Sequence, residues 1–284
     1  MMMPRSWLFV PGDSTRKIEA ALKGNADALI FDWEDAVSPA NKGLGRSTTK
    51  ASLAAASCDI ERIWIRVNGL DTRWFADDLS ALPADRIAGV VIPKCCGPSD
   101  LTRLDRELAR CEAASGIAAG TMKVVAIATE TAASVLALSE FRRPVPRLSG
   151  ILWGGEDLAG DLGVMANRDA SGRYRAAFQH ARTMVLYAAA ATQSLAIDAV
   201  NVDFRNLQSL EDECAEARTD GFVSKAAIHP AQVEVINAAF SATAEELAWA
   251  RRVVQALPDG GVAVVDGKMV DAPHLRIARR ILAR

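Results

Sequence analysis

The sequence has few of the side chains that form transition-metal and redox sites. Among its 284 residues are 3 histidines and 5 cysteines. So little histidine argues against a transition metal held by imidazoles. The cysteines are odd in number, lack zinc-ribbon spacing, and fit a reducing, cytoplasmic setting. Cys95 and Cys96 are interpreted as loop residues rather than a redox pair, because vicinal cysteines seldom form a bridge.

Other absences remove whole classes of partner. The net charge is −2, and no basic stripe with interleaved aromatics is present, so nucleic acid is not expected as a partner. The apolar run 184–200 is interrupted by polar residues, which argues against a membrane span. Residues 1–6 lack the pattern of a secretory signal, so we expect a cytoplasmic protein. No G-x-G-x-x-G follows the first predicted strand, which weakens the case for an open nucleotide-binding sheet.

Short apolar runs and helical patterns alternate along the chain instead. Strand, helix, strand, helix is typical of a parallel sheet, and eight such strands favour a closed (β/α)8 TIM barrel of class α/β over an open doubly wound sheet. The apolar runs are 8–12, 28–32, 63–68, 89–94, 124–130, 150–157, 197–203 and 221–225. The helical patterns are 15–24, 39–56, 98–114, 132–141 and 174–192.

The pattern changes after the eighth run. Residues 230–240 are predicted to form the eighth barrel helix, and Thr243 to Glu246 form a capping box for another helix. Residues 262–270 then predict a hairpin that turns at Asp266-Gly267, followed by a last helix from about 272. We therefore expect a catalytic barrel over 1–240 and a helical and hairpin extension over 241–284. Its expected role is that of a lid or an oligomerisation element.

Three charged residues follow predicted strands and are expected at one end of the barrel. Arg66, Glu130 and Asp157 each come at or just after an apolar run, and active sites in such barrels lie at the carboxyl ends of the strands. Two carboxylates suit a hard cation such as Mg²⁺, and an arginine can grip a substrate carboxylate. The alternatives are helix caps for the acids and an ion pair with Glu34 or Asp35 for the arginine.

Further charges surround this predicted site. Asp32 stands beside Glu34 and Asp35, and three acids this close require a cation among them, so ion pairing is expected for Asp32. Lys42 and Arg46 lie one helical turn apart. They form either a solvated basic face or a grip for a phosphate.

Lys225 and His229 follow the eighth run, where barrels often bind phosphate. Lys225 alternatively acts as the Schiff-base nucleophile of a metal-free aldolase. That alternative leaves the two proposed metal carboxylates without a role.

Several motifs, in order, resemble those of the citrate lyase beta-subunit-like family within the HpcH/HpaI aldolase superfamily. The resemblance covers nearly the whole chain. The motifs are RSWLFVPG at 5–12, DWEDAV at 32–37, IRVN at 65–68, TETA at 129–132, GEDLAGDLG at 155–163 and GFVSKAAIHP at 221–230.

The resemblance implies a Mg²⁺-dependent enzyme that cleaves a carbon–carbon bond in an acyl-CoA thioester. Glu130 and Asp157 match the family's metal ligands, with Glu130 also near the substrate, and Arg66 matches the residue that binds the substrate carboxylate. Family members assemble as trimers or as dimers of trimers. The segment KMVDAP at 268–273 resembles the tail of stand-alone CoA-ester lyases, whose aspartate enters the neighbouring subunit's site as acid/base. Asp271 matches it, although it also suits an N-cap.

The expected activity is cleavage of malyl-CoA or citramalyl-CoA to acetyl-CoA and a 2-keto acid. The alternatives are a citryl-CoA lyase giving oxaloacetate and acetyl-CoA, and a non-catalytic acyl-CoA-binding subunit. The sequence departs from the family pattern at Trp33, Gly45 and Ser224. None of these is a predicted ligand, so the departures bear on the CoA contacts and on the choice of acyl group.

Overall fold

A computed structural model, which describes residues 3–283, contains the predicted barrel. Eight parallel strands pair in sequence order, and the last pairs with the first, so the sheet is closed. The expected (β/α)8 TIM barrel is therefore confirmed. The strands are β1 (Ser6–Pro11), β2 (Ala28–Asp32), β3 (Ile63–Arg66), β4 (Gly89–Ile92), β5 (Lys123–Ile127), β6 (Leu148–Leu152), β7 (Leu195–Asp198) and β8 (Ser224–Ala227).

Helices follow the strands as the alternating pattern predicts. The helix Pro98–Ala114 coincides with the predicted range, and Pro98 in its first turn, where the missing N–H costs nothing, explains its sharp start. Three short or weakly patterned helices, α3, α6 and α8, were not among the predicted ranges. The helices are α1 (Thr15–Leu22), α2 (Lys42–Ala55), α3 (Phe75–Ala81), α4 (Pro98–Ala114), α5 (Ala132–Ala137), α6 (Gly155–Asp161), α7 (Ala176–Thr192), α8 (Leu207–Asp220) and α9 (Val233–Phe240).

Side chains on each strand alternate between the barrel interior and the surrounding helices. The interior holds a cluster that includes Ala28, Ile30 and Trp64, with Trp64 edge-on to Trp7 at 5.1 Å between ring centroids. Residues two positions further along β2 and β3 face the same way. The pleat therefore directs the terminal residues of these two strands into the open end of the barrel.

The chain divides into two compact units, of which the first is Arg5–Ala239. The second contains α10 (Ala244–Ala256), β9 (Ala263–Val265), β10 (Lys268–Val270) and α11 (Ala272–Leu282). Its hairpin turns at Asp266 and Gly267, both with positive φ, as the two-residue turn requires. The Thr243–Glu246 capping box is present at the start of α10. The predicted lid and oligomerisation roles of this segment stay predictions.

The second unit has an apolar core of its own. Both strands of its hairpin and both of its helices contribute buried side chains to one cluster. Its members are Ala250, Val253, Leu257, Val265, Val270, Leu275 and Ala278. In the whole stretch 3–283, no helix combines the length and the apolar character needed to cross a bilayer.

Candidate active site

One cavity lies at the carboxyl ends of the barrel strands. It has a volume of about 310 Å³, and Arg66, Glu130 and Asp157 all line it. The three residues singled out in the sequence are thus brought together by strands and loops far apart in the chain. Apolar side chains complete the wall, among them Phe9, Ile127, Leu152 and Trp153.

Arg66, the last residue of β3, is buried and held on two sides. Its guanidinium donates to both oxygens of Asp32 at 2.7 and 2.6 Å, and Nη1 lies 3.0 Å from Glu34 Oε2. The ring of Phe9 lies 4.9 Å below it. Burial disfavours the charge, but Asp32 and Glu34 outweigh burial, so the pKa of Arg66 is raised. The expected ion pairing of Asp32 is confirmed, and Arg66 is a fixed cation in the cavity wall.

Glu130 is only 2% exposed and has few compensating contacts. The backbone N–H of Lys94 donates to its Oε2 at 2.5 Å. Burial raises the pKa of Glu130 to about 8, and the neighbouring carboxylates Asp157 and Glu34 add to the shift. The site therefore opposes a negative charge on Glu130 unless a cation lies beside it.

Asp157 is half-buried in the first turn of α6. Within residues 3–283 its carboxylate makes no hydrogen bond and no ion pair. The simple alternative, that Asp157 caps a turn, therefore finds no support in the hydrogen bonds. Asp157 and Glu130 are two carboxylates that face one cavity, and neither forms an ion pair with a described residue.

Gly154 makes room for Glu130. A Cβ built on Gly154 would lie 3.0 Å from Glu130 Cγ, closer than nearly all real contacts of that kind. The Gly154 N–H donates to Thr129 Oγ1 at 2.7 Å, which ties this loop to the residue before Glu130. Gly154 itself also lines the cavity.

The donor set fits a hard cation. Across the described part of the chain, no group of three or more His, Cys, Asp or Glu side chains is arranged to hold a metal. Glu130 and Asp157 alone provide two oxygen ligands, and Mg²⁺ commonly completes its shell with water and substrate oxygens. A divalent cation bound by both carboxylates would offset the burial and the repulsion that raise the pKa of Glu130.

Of the supporting residues, Glu34 and Asp35 lie at the site, whereas Lys42 and Arg46 are committed to the fold. Asp35 lines the cavity. Lys42 is buried, and its Nζ donates to the carbonyls of Trp33 and Glu34 at 2.8 and 2.6 Å. A solvated basic face is therefore wrong for Lys42. Arg46 pairs with Asp78 at 2.8 Å, and the predicted phosphate contact of these two cations stays a prediction.

Lys225 lies outside this cavity. It is 1% exposed, and its Nζ is 2.6 Å from Asp198 Oδ2 and 3.2 Å from Glu213 Oε2. Burial works against its charge, but the two acids outweigh burial and the pKa of Lys225 is raised. A Schiff-base nucleophile has to be accessible and neutral. The geometry and charge of Lys225 therefore contradict the metal-free aldolase alternative.

Asp271 stands at the N-terminus of α11 in the second unit. Its Oδ1 lies 2.7 Å from Nδ1 of His274, and about a third of each side chain is exposed, 34% for Asp271 and 39% for His274. The carboxylate is therefore accessible within this chain, and its predicted acid/base role stays a prediction.

Two residues of the site were missed by sequence reasoning. Lys94 has a left-handed backbone, with φ at 53°, and nothing in the surrounding sequence predicts this conformation. Tyr174 lines the cavity and packs edge-on against Trp153 at 4.8 Å between ring centroids. Tyr174 was seen only as the start of a helical pattern, although 2 tyrosines in the whole chain make each worth locating.

Known proteins are similar to this chain over its whole length. The family model described as HpcH/HpaI aldolase/citrate lyase matches residues 5–230. A (3S)-malyl-CoA thioesterase of Cereibacter sphaeroides is 36% identical over 285 residues, covering 99% of this chain and 94% of that protein. A citrate lyase subunit beta-like protein of Mycobacterium tuberculosis is 34% identical over 279 residues, covering 98% and 94%.

Among solved structures, a crystal structure of the protein CitE from Mycobacterium tuberculosis has a TM-score of 0.77 and 32% sequence identity. The alignment covers 98% of this chain and 97% of that one. That structure is a complex with magnesium, acetoacetate and coenzyme A. The fold and the length of this chain are thus shared with proteins that bind a metal, a keto acid and a CoA.

Proposed function

The chain belongs to the HpcH/HpaI aldolase/citrate lyase family, and from that premise we propose that it is a Mg²⁺-dependent carbon–carbon lyase. Its proposed substrates are short 3-hydroxy-dicarboxylyl-CoA thioesters, malyl-CoA or citramalyl-CoA, and its products are acetyl-CoA and a 2-keto acid. The observation that carries the proposal is the convergence of Arg66, Glu130 and Asp157 on one cavity. Two uncompensated acids and a fixed cation suit an oxyacid bound through a metal.

Glu130 and Asp157 would hold Mg²⁺, which supplies a Lewis acid that stabilises negative charge on substrate oxygens. Arg66 would bind the substrate carboxylate. Its guanidinium is locked by Asp32 and Glu34, so little side-chain freedom is lost on binding. The apolar wall excludes water, which strengthens the electrostatic contacts within the cavity.

The reaction breaks the bond between the carbinol carbon and the carbon next to the thioester. The hydroxyl loses a proton, the carbon–oxygen bond becomes a carbonyl, and the bonding electrons pass to the thioester fragment as an enolate. Protonation of that enolate at carbon gives acetyl-CoA, so the reaction is proton-neutral overall. We assign the protonation to Asp271, because the segment 268–273 resembles the tail of stand-alone CoA-ester lyases and the Asp271 carboxylate is partly exposed.

We propose that Asp271 acts on the neighbouring subunit of a homotrimer or dimer of trimers. The hairpin that precedes it supports this assignment. Val264 and Met269 are cross-strand partners and, with Val262, are 62–71% exposed, which forms an unpartnered apolar face. By strand alternation Asp271 follows Met269 on that same side. A neighbouring chain covering this face would bring Asp271 to an active site.

The test of the activity is a substrate panel with two readouts. Malyl-, citramalyl-, methylmalyl- and citryl-CoA are incubated with Mg²⁺, and keto acid and free CoA thiol are measured separately. A lyase releases keto acid without thiol, and EDTA abolishes the release. Full activity after removal of the metal, or no keto acid from any substrate, would contradict the proposal.

The test of Asp271 is subunit complementation. Asp271→Ala and Arg66→Ala enzymes are each expected to be inactive. Mixed trimers regain activity when one chain provides the arginine site and the other the aspartate. If dissociated and reassembled mixtures, with mixing verified by mass spectrometry, stay inactive, Asp271 does not act in trans.

A second candidate is hydrolysis of a malyl-CoA thioester. The observation that favours it is the 36% identity to the (3S)-malyl-CoA thioesterase of Cereibacter sphaeroides. The same cavity would serve, with water attacking the thioester carbonyl in place of carbon–carbon cleavage. Release of free thiol without keto acid in the panel would select this candidate.

A further inference from the structure

We infer that Lys94 is the positioning residue that joins the metal-binding half of the cavity to its carboxylate-binding half. The inference deepens the proposed function, since it assumes that Glu130 holds the metal and that Arg66 binds the substrate carboxylate. Lys94 contacts both halves. Its backbone N–H donates to Glu130 at 2.5 Å, and its Nζ donates to Glu34 Oε1 at 2.5 Å.

The two contacts depend on an unusual backbone conformation. Lys94 follows β4 and has φ at 53°, which costs energy for a residue with a Cβ. The next amide, of Cys95, donates to the carbonyl of Ile127 in β5 at 3.0 Å, which anchors the segment. In this conformation the amide points at Glu130 while the side chain reaches Glu34. Strained backbone of this kind persists where the surroundings hold it, often at a functional site.

The ammonium group acts on Arg66 through Glu34. Glu34 uses one oxygen for Lys94 and the other for Arg66, at 2.5 and 3.0 Å. Without Lys94 the first oxygen is unpaired, and Glu34 is free to rotate or to compete for the metal. Lys94 therefore fixes the direction of the guanidinium without being among the residues that line the cavity.

Two variants separate the amide from the ammonium. Lys94→Met removes the charge and keeps the side-chain stem. Lys94→Gly removes the side chain, retains the amide to Glu130 and suits the positive φ, so it stays folded if the methionine variant does not. Lys94→Arg restores a cation. Lys123→Met is the matched control, because Lys123 is 37% exposed, compared with 41% for Lys94, and has an acidic partner, Glu61.

The experiment measures two binding constants on the complete protein. Calorimetry with pyruvate and saturating Mg²⁺ measures how tightly the site binds a carboxylate. Electron paramagnetic resonance with Mn²⁺ alone measures the affinity of the metal site. Lys94→Met and Lys94→Gly should bind pyruvate about tenfold more weakly, the low end for loss of a charged hydrogen bond. Their affinity for Mn²⁺ should be unchanged or higher, because the amide remains and a cation has left. Lys94→Arg and Lys123→Met should match the wild type within about threefold.

The outcomes distinguish this inference from the proposed function. If wild-type protein binds no pyruvate in the presence of metal, the proposed function and this inference both fail. If the wild type binds pyruvate and both Lys94 variants bind it equally well, the inference alone fails. Equal weakening of pyruvate and Mn²⁺ would also overturn it, since that result would indicate general disruption rather than positioning.

Discussion

Two ion pairs each join adjacent strands of the barrel, one facing the cavity and the other facing the helices. Asp32 pairs with Arg66 in the register of β2 and β3, and Asp198 pairs with Lys225 in that of β7 and β8. The first pair follows interior residues and lines the cavity. Asp198 directly follows the interior residue Ile197, so the second pair faces the surrounding helices. There Arg182 of α7 also contacts Asp198.

The difference lies in the balance of charge. Around the outward pair, each acid that contacts Lys225 also has a second cation. Arg182 contacts Asp198 as well, and Arg168 contacts Glu213. At the cavity, Arg66 and Lys94 already pair with Asp32 and Glu34. Glu130 and Asp157 form no ion pair with any residue that the structure describes. A balanced buried network maintains structure, whereas an excess of like charge in a cavity is a site prepared for a ligand.

The largest expected effect comes from the unbalanced acids. Glu130→Gln should lower kcat/KM by about 1,000-fold, because a ligand of the catalytic cation is lost. Stability should hold or rise, since the substitution removes a carboxylate whose pKa is raised by burial and by Asp157. Steady-state kinetics and thermal unfolding measure the two effects. A large loss of stability would place Glu130 in the structural class with Asp198.

The second effect concerns the balanced network. Lys225→Met should destabilise the protein by about 3–5 kcal/mol, because it leaves buried acids uncompensated. Urea unfolding measures the change, and Lys225→Met combined with Asp198→Asn should recover part of it. Borohydride with pyruvate should trap no adduct on wild-type Lys225. An adduct, or an unchanged urea midpoint, would refute the structural assignment.

Much of the fold was predictable because local signals agreed with it. The start of α4 at Pro98 and the turn at Asp266 were predictable from the sequence. Asp32 and Lys225 were not distinguishable in the same way, since each is a charged residue that ends a predicted apolar run. The eighth run was placed too early, because β8 begins at Ser224 and Lys225 lies within it. What separates Asp32 from Lys225 is strand parity, and a one-residue shift in a predicted strand exchanges inside for outside. The sequence therefore located candidates for the site but not their orientation.

Trp33 illustrates a second kind of information that single positions lack. It was noted as a departure from the family pattern, and it is fully buried with its Nε1 donating to Thr49 at 3.0 Å. A Cβ on Gly12 would lie 2.6 Å from the Trp33 ring. The large side chain lies against a glycine 21 positions earlier, a contact between the segments that follow β1 and β2 that no local pattern reveals.

The third effect is a dependence of stability on acid. Burial opposes the charge of Asp198, but Lys225 and Arg182 outweigh burial, so the pKa of Asp198 is lowered. Its contribution is complete above the ordinary carboxyl pKa of about 4 and is lost as the pH falls below it. Unfolding free energies from pH 6 downward, compared between wild type and Asp198→Asn, should converge at low pH. Parallel curves would mean that Asp198 does not provide this dependence.

The smallest expected effect concerns Tyr174, which lies between the active-site cavity and the Lys225 network. Tyr174 lines the mouth cavity, and it also lines a second cavity bordered by Asp198 and Arg182. Its ring packs on Trp153 and lies under Arg168, whose guanidinium carbon is 3.7 Å from the ring centroid. Within the described chain its hydroxyl makes no hydrogen bond.

Tyr174→Phe keeps both ring contacts, so we expect less than about 0.5 kcal/mol of destabilisation and little change in kcat. Urea unfolding and steady-state kinetics on the same preparation measure both, with Tyr187→Phe, an exposed tyrosine of α7, as the control. A tenfold fall in kcat at unchanged stability would instead make the hydroxyl part of the substrate site. A loss above about 1 kcal/mol with normal kcat would attach it to the Lys225 network, because a buried hydrogen bond is worth that much. The first result would assign the Tyr174 hydroxyl to the active-site cavity, and the second would assign it to the network around Lys225.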